Sequence, residues 1–310
     1  MKISIMGAGA VGAYFGALLA RAGQDVTFIA RGKHLQAMRE KGIRVKSFFG
    51  DFDLPAVQAT DNPADVGPVD LILFTVKTYD AISAAKAMIP MVGPETSVVT
   101  MQNMNMAEQV GEIIGLEHIL GSVTYVFSAV ESPGVISQTS NFHRIIFGEF
   151  SNEITPRAEA VRDVLETSGA TIVLSDDIQE ALWSKLLVIS PLGGVSSVVR
   201  VPAGGYRDVP ESREMLIKAM RELESLARSQ GVNLDDDIVA QKMQFVDNLE
   251  PGAITSMQRD VLAGRRSEME ELIGMVCQMA EKAGIPVPTY QFIYAALKPG
   301  EMKARGVSEQ

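Results

Sequence analysis

The sequence predicts an α/β protein: an N-terminal, doubly wound Rossmann-type sheet followed by an all-α C-terminal domain. Three observations predict it. A short apolar strand runs directly into a G-x-G-x-x-G turn and a helix of small residues. Strand-like apolar runs then alternate with helical patterns as far as Ser175. Beyond Ser175 the hydrophobic spacing is helical almost throughout, so the domains are expected at residues 1–175 and 176–310.

Lys2-Ile3-Ser4-Ile5-Met6 reads as a buried strand, and Ala13 to Ala22 as the helix after the turn. Between them lie Gly7, Ala8, Gly9, Ala10, Val11 and Gly12. Gly7 permits the sharp turn. Gly9 lets the backbone approach a pyrophosphate, and Gly12 lets helix and strand pack closely. The helix N-terminus then faces the phosphates. These six residues are the expected dinucleotide-binding turn, the strand and helix around them being the context that makes the motif specific. An ordinary glycine-rich βα turn is the structural alternative.

Asp25 to Ala30 reads as a second strand, and Arg31 and Lys33 follow it. A cofactor lacking a 2′-phosphate favours an acid at this strand's end, whereas a guanidinium grips a phosphate with two parallel hydrogen bonds. The expected cofactor is therefore NADP(H), with Arg31 on the 2′-phosphate; a solvated basic turn into the helix His34–Lys41 is the alternative. Val69 to Val76 and Thr96 to Met101 read as strands, with Lys77 and Asn103 at their carboxyl ends. Ligands of open α/β sheets sit in the crevice there, so Lys77 and Asn103 are site candidates. A snorkelling lysine and an Asx turn are the alternatives. Residues Ile43–Val57 carry weak strand signals, and two β-rich runs, Ile119–Val130 and Gly134–Glu149, follow. A helix over Pro156–Ser168 and a strand over Thr171–Leu174 close this domain, and His143 within it reads as structural or surface.

In the second domain Asp176 or Asp177 is expected to cap a helix running through Trp183. Ile178, Leu182, Lys185 and Ile189 share one helical face, which places Lys185 on an apolar stripe. A lysine is almost never fully buried without a partner, so either the stripe opens into a cleft or the ammonium meets a carboxylate or ligand. Snorkelling past the helix edge is the remaining option. Asp208-Val209-Pro210-Glu211 reads as a capping-box variant opening a helix to Gln230, with Leu216, Met220, Leu223 and Ala227 in the core. Another helix is expected over Asp235–Leu249. Ser267-Glu268-Met269-Glu270 reads as a second capping box, opening a helix to Lys282 with Glu268 in its first turn. The last ten residues read as a frayed, charged tail.

Composition bounds the partners. With 28 basic and 38 acidic residues the chain carries a formal charge of −10, which argues against nucleic acid or an anionic membrane as partner. No uncharged apolar run of 18 residues is evident and the first strand begins at once, so neither a membrane span nor a signal peptide is expected. Cys277 alone forms no internal disulfide, which suits a reducing cytoplasm, and it reads as a buried structural thiol. Three scattered histidines give no metal site.

Taken together these residues resemble the ketopantoate reductase (2-dehydropantoate 2-reductase) family over nearly the whole chain. The likeness rests on Gly7–Gly12, Arg31, Thr75-Val76-Lys77, Gln102-Asn103 and Trp183-Ser184-Lys185-Leu186. It extends through Thr255-Ser256-Met257-Gln258-Arg259-Asp260, Gly264-Arg265, Glu268 and Gly284-Ile285-Pro286-Val287-Pro288. The resemblance implies reduction of a 2-oxo acid by NADPH in a site between the two domains, with a homodimer allowed. It implies that Lys185 is the general acid and Glu268 an active-site carboxylate that also contacts the cofactor. Ser256, Asn103 and the positions of Ile189 and Gly193 would bind substrate, and Lys77 and Asn103 would line the nicotinamide end. The departures lie on the substrate side: Ile189, Gly193 and Ala253 stand where family members carry asparagines, and Met104 where a glycine follows Gln-Asn. Losing those amides while keeping Lys185 points to a more apolar substrate, unless Ser190 or Ser196 replaces them. A different carbonyl or imine as substrate, or a non-catalytic NADP(H) redox sensor, are the rival readings. A sensor needs neither Lys185, Ser256 nor Glu268.

Overall fold

Lys2–Met6 forms β1 as expected, and α1 (Ala10–Arg21) starts three residues earlier than its sequence pattern. The structure, a computed structural model, describes residues 1–103 and 106–306. Its Cα packing divides the chain into two units, Met1–Ala181 and Leu182–Gln310. The first unit continues with β2 (Asp25–Ile29), α2 (Gly32–Lys41), β3 (Ile43–Ser47), β4 (Phe52–Leu54) and β5 (Gln58–Thr60). Next come β6 (Val69–Phe74), α3 (Ala81–Met88), β7 (Val92–Thr100), α4 (Ala107–Ile114) and β8 (Ile119–Tyr125). β9 (Ser128–Ser132), β10 (Val135–Gln138), β11 (Arg144–Gly148), α5 (Pro156–Glu166) and β12 (Thr171–Leu174) complete it.

The main sheet has the order β12-β11-β8-β7-β6-β1-β2-β5, and β3, β4, β9 and β10 form a second, smaller sheet. β1 pairs in parallel with both β2 and β6, so the chain winds outward in two directions from β1. Only the β8–β11 pairing of the main sheet is antiparallel among the described residues. Alternation along β6 feeds two cores. Leu71 and Leu73 pack in one cluster with Tyr14, Phe15 and Ala17 of α1, whereas Ile72 and Phe74 pack in the other with Ala85 and Met88 of α3 and Val110 of α4. A sheet covered on both faces gives near-continuous apolar strands, which is how β6 reads in the sequence.

The helical unit is built from α6 (Ile178–Val199), α7 (Ala203–Arg207), α8 (Pro210–Ser229), α9 (Ile238–Asp247), α10 (Ser256–Leu262), α11 (Met275–Ala283) and α12 (Pro288–Ala304). Asp177 caps α6, its Oδ1 accepting from Glu180 N–H at 3.0 Å. The helix runs through Trp183 and Ile189 as its spacing predicts and continues past Pro191 to Val199. By length and composition α6 is apolar enough to cross a membrane, although Lys185 interrupts its apolar run; 67% of its most apolar stretch is buried inside the fold. Leu216, Met220, Leu223 and Ala227 are buried as the α8 pattern requires.

Three expectations are corrected here. Asp208 does not cap α8: Val209 is the cap residue, without a side-chain bond, and Asp208 pairs with Arg207 instead. Pro210 at the first helical position makes that cap dispensable, because its missing N–H is one a helix start leaves unsatisfied. The tail is not frayed at Glu301–Ala304, which belong to α12, and Glu301 is buried. Its residues 307–310 lie outside the described ones. Cys277 is half-buried rather than buried, and burial pushes its thiol up to about 11.

Candidate active site

The sheet order reverses between β1 and β6, and the crevice outside their carboxyl ends is where an open α/β sheet takes a ligand. Gly7 follows β1 there with φ +99°, and an added Cβ would lie 2.6 Å from Val76 Cγ1. Gly12 is equally constrained: a Cβ would meet Thr75 Oγ1 at 2.3 Å and Ile5 Cγ2 at 2.8 Å. A Cβ at Gly9 meets only the Gly7 carbonyl, at 4.0 Å, so the turn is open on the side a pyrophosphate would approach. The Ala8 N–H is already given to Ile29 O at 2.8 Å and that of Gly9 to Gly7 O at 2.7 Å. For a phosphate this leaves the first-turn amides of α1, at Ala10, Val11 and Gly12, which have no carbonyl one turn back within the helix. Ala8 thus shapes the turn rather than donating its N–H to a ligand.

Thr75 ties this turn to β6. Its hydroxyl donates to Gly7 O at 2.8 Å, and its N–H donates to Met6 O at 2.9 Å. Sequence reasoning noted Thr75 without seeing this task. The signal was there: a β-branched hydroxyl ends an otherwise apolar strand. Gln102 joins the cluster from the end of β7, its Nε2 donating to Phe74 O at 3.1 Å, and half-buried Asn103 follows it. Arg31 lies just past β2, exposed, at the N-cap of α2. Lys77 is also exposed, three residues past β6. The carboxyl ends of β1, β2, β6 and β7 therefore carry the glycine turn, Arg31, Lys77 and Asn103. Met104 lies outside the described residues.

His143 is held in the structural role expected of it. Its Nδ1 and the Tyr14 hydroxyl are 2.7 Å apart, and its ring stacks on Phe49.

The helical unit buries a second cluster. Lys185 on α6 is 8% exposed, and Glu268 is 4% exposed. Burial pulls the Lys185 ammonium down to about 8, while the Glu268 charge acts in the opposite sense. Of the options open in the sequence, a carboxylate acting on the ammonium is the one whose effect is seen. Its stripe is less deeply buried than its spacing implied: Ile178 is buried, but Leu182 and Ile189 are half-buried.

The second capping box is corrected. Ser267 Oγ accepts from Met269 N–H at 3.2 Å, but Glu270 does not reach back. It bonds Lys298 and Tyr294 instead, and a π-helical turn over Glu270–Gly274 precedes α11.

On the substrate-side positions, Ile189 and Ala253 are half-buried, and a Cβ at Gly193 would lie 3.2 Å from Met257 Sδ. Ser256 is exposed at the start of α10, where Thr255 caps the helix by accepting from Gln258 N–H. Both serines suggested as replacements are fully buried and have hydrogen-bond partners within the chain. Ser190 is fully buried between Leu272 O at 2.8 Å and the Tyr290 hydroxyl at 2.9 Å. Ser196, also fully buried, sits 3.4 Å from both Gly193 O and Thr255 Oγ1.

A glycine turn at the switch point of a parallel sheet, joined in one chain to a helical unit with a buried Lys–Glu pair, defines a Rossmann-type oxidoreductase. The chain belongs to the ketopantoate reductase family: the family profile "Ketopantoate reductase PanE/ApbA" matches residues 3–152 and its C-terminal counterpart residues 177–301. It is 28% identical to a 2-dehydropantoate 2-reductase of Nostoc over 303 residues, 96% of this chain and 94% of that one. A PanE/ApbA-family ketopantoate reductase of Ralstonia eutropha JMP134 shares the fold with a TM-score of 0.91 at 30% identity, covering 98% of this chain and 100% of that one. D-mandelate dehydrogenase, in a ternary structure with NADH and anilino(oxo)acetate, is similar in fold alone, with a TM-score of 0.89 at 21% identity over 98% and 99% of the two chains.

Proposed function

We propose that the protein is an NADPH-dependent reductase of a 2-oxo acid or related ketone more apolar than ketopantoate, with Lys185 as proton donor. The observation that carries this reading is the buried Lys185–Glu268 pair in a chain of the ketopantoate reductase family. The residues present fit a dinucleotide: Gly9 leaves its approach side open, and the first turn of α1 offers amides. Ala10, Val11 and Gly12 would hold the pyrophosphate, Arg31 the 2′-phosphate, and Lys77 and Asn103 the nicotinamide end. A bound nicotinamide supplies the hydride.

Lys185 does the rest of the work at the carbonyl. Its ammonium polarises the C=O before transfer, stabilises the alkoxide as charge develops, and gives the oxygen a proton. Glu268 keeps the ammonium protonated against its burial, which lowers its affinity for the proton. Ser256 would bond the substrate, and Ile189 and Gly193 would face it without the amides that select a hydroxylated acid. That Ser190 and Ser196 are already bonded within the unit supports the more apolar substrate. The pair also favours an enzyme over a redox sensor, for which a buried ammonium beside a buried carboxylate has no use.

The test is a panel of 2-oxo acids and ketones followed by NADPH absorbance, with NADPH binding read separately by fluorescence. An apolar 2-oxo acid turning over faster than ketopantoate supports the reading. Ketopantoate as best substrate would show that other groups replaced the asparagines. NADPH binding with no turnover of any carbonyl would point to the sensor.

A further inference from the structure

We propose that Ser267 and Glu301 are positioning residues: one carboxylate on the C-terminal helix fixes the backbone on both sides of Glu268 and thereby aims Glu268 at Lys185. This inference rests on the reductase reading above.

Ser267 is fully buried. Its N–H donates to Glu301 Oε1 at 3.3 Å and Oε2 at 3.2 Å, and its hydroxyl donates to Oε2 at 2.7 Å. The same hydroxyl accepts from Met269 N–H. Glu268 therefore sits between two residues that share one hydrogen-bonded hydroxyl. Glu301 is 4% exposed and receives a further bond from Arg305 Nε at 2.7 Å. A buried carboxylate is costly unless it is paired and hydrogen-bonded, and apolar packing would hold α12 in place as well. What this carboxylate adds is a defined backbone geometry at 267–269.

The far side of Glu268 is tied as well. Its carbonyl accepts from Leu272 N–H at 2.9 Å, and the Leu272 carbonyl accepts from Ser190 Oγ. Ser190 lies on α6, five residues beyond Lys185. The link runs through the π-turn Glu270–Gly274. Glu268 is thus clamped from α12 on one side and from the lysine's own helix on the other. A local capping box would have used Glu270, which is occupied by Lys298 and Tyr294, so the task falls to a residue 34 positions from Ser267. The other charges of this cluster are Arg266, Glu271 and Arg305, with Glu271 feeling Glu268, Arg266 and Arg305.

The test is the pH profile of kcat from about pH 6 to about pH 10, for the full-length wild type and the variants Glu268→Gln, Ser267→Ala, Ser267→Thr and Glu301→Gln. The substrate is whichever of ketopantoate and 4-methyl-2-oxopentanoate turns over faster with NADPH. The wild-type alkaline limb is expected near the Lys185 value of about 8. Glu268→Gln removes the charge that holds the proton on, so its limb moves to lower pH. Ser267→Ala and Glu301→Gln should move the limb the same way, by about one unit, with the KM for NADPH unchanged. Ser267→Thr, which keeps the hydroxyl, should restore it. If Glu301→Gln does not fold, Ser267→Ala carries the test alone. Limbs in Ser267→Ala and Glu301→Gln that coincide with the wild type overturn the positioning role, whatever the variants do to urea stability. In that case a limb still moved by Glu268→Gln leaves the reductase reading standing. A wild-type profile with no limb, unchanged in Glu268→Gln, overturns both.

Discussion

The two units present their functional groups in opposite ways. In the first, the candidate groups are backbone amides at Ala10–Gly12 and two exposed cations, Arg31 and Lys77. In the second, they are a buried ammonium and a buried carboxylate. The difference teaches where energy is concentrated. An exposed cation is screened by salt and acts weakly on each partner, whereas a desolvated pair responds strongly to any change around it. On the proposed function, phosphate groups would be recognised in water by many weak contacts, and one carbonyl would be protonated in a dry site by one strong group.

If that contrast holds, substitutions should rank accordingly. The largest effect belongs to Lys185→Ala. Loss of a general acid costs about 10²–10⁴ in rate. NADPH fluorescence titration should show binding retained, because the proposed phosphate contacts come from the first unit. Loss of binding or of the fold would mark Lys185 as structural, and a kcat within a few-fold of wild type would move the acid elsewhere, Lys77 being the next candidate.

Next is Gly12→Val, which forces atoms into the space held by Thr75 and Ile5. Overpacking of this kind costs about 1–3 kcal/mol, and it should appear as a lower urea midpoint together with weaker NADPH binding. Binding and stability both at wild-type level would mean that the turn is looser than its packing. Arg31→Ala should then raise the KM for NADPH about tenfold and leave that for NADH nearly unchanged, an effect that shrinks at high salt. Equal changes for both cofactors would remove the 2′-phosphate role. Ile189→Asn is the mildest. It should shift relative kcat/KM toward ketopantoate by about tenfold or less, measured by competition between ketopantoate and 4-methyl-2-oxopentanoate. A ratio that does not move would place substrate discrimination at other residues.

The sequence revealed the two regions unequally, for the same physical reason. The glycine turn is local: strand, turn and helix are contiguous, Gly7 and Gly12 answer clashes with Val76, Thr75 and Ile5, and Gly9 keeps the approach side open. Lys185 was visible because a charge on an apolar helical face is an anomaly. Its partner's support was not visible, because Ser267 meets Glu301 only after 34 residues of chain have folded back. The charged tail read as frayed for that reason, since solvated and buried glutamates look alike before packing. Local spacing likewise proposed Glu270 as the cap of Ser267, and tertiary contacts with Lys298 and Tyr294 overrode it.

The central claim is that a buried lysine beside Glu268 donates the proton. Its most direct test is kcat against pH for the wild-type protein, under saturating NADPH and the best carbonyl of the panel. A general acid works only while protonated, and burial draws Lys185 down to about 8. The rate should therefore hold level below that value and fall about tenfold per unit above it. A rate that stays level to about pH 10, where an ordinary exposed lysine titrates, would contradict the account.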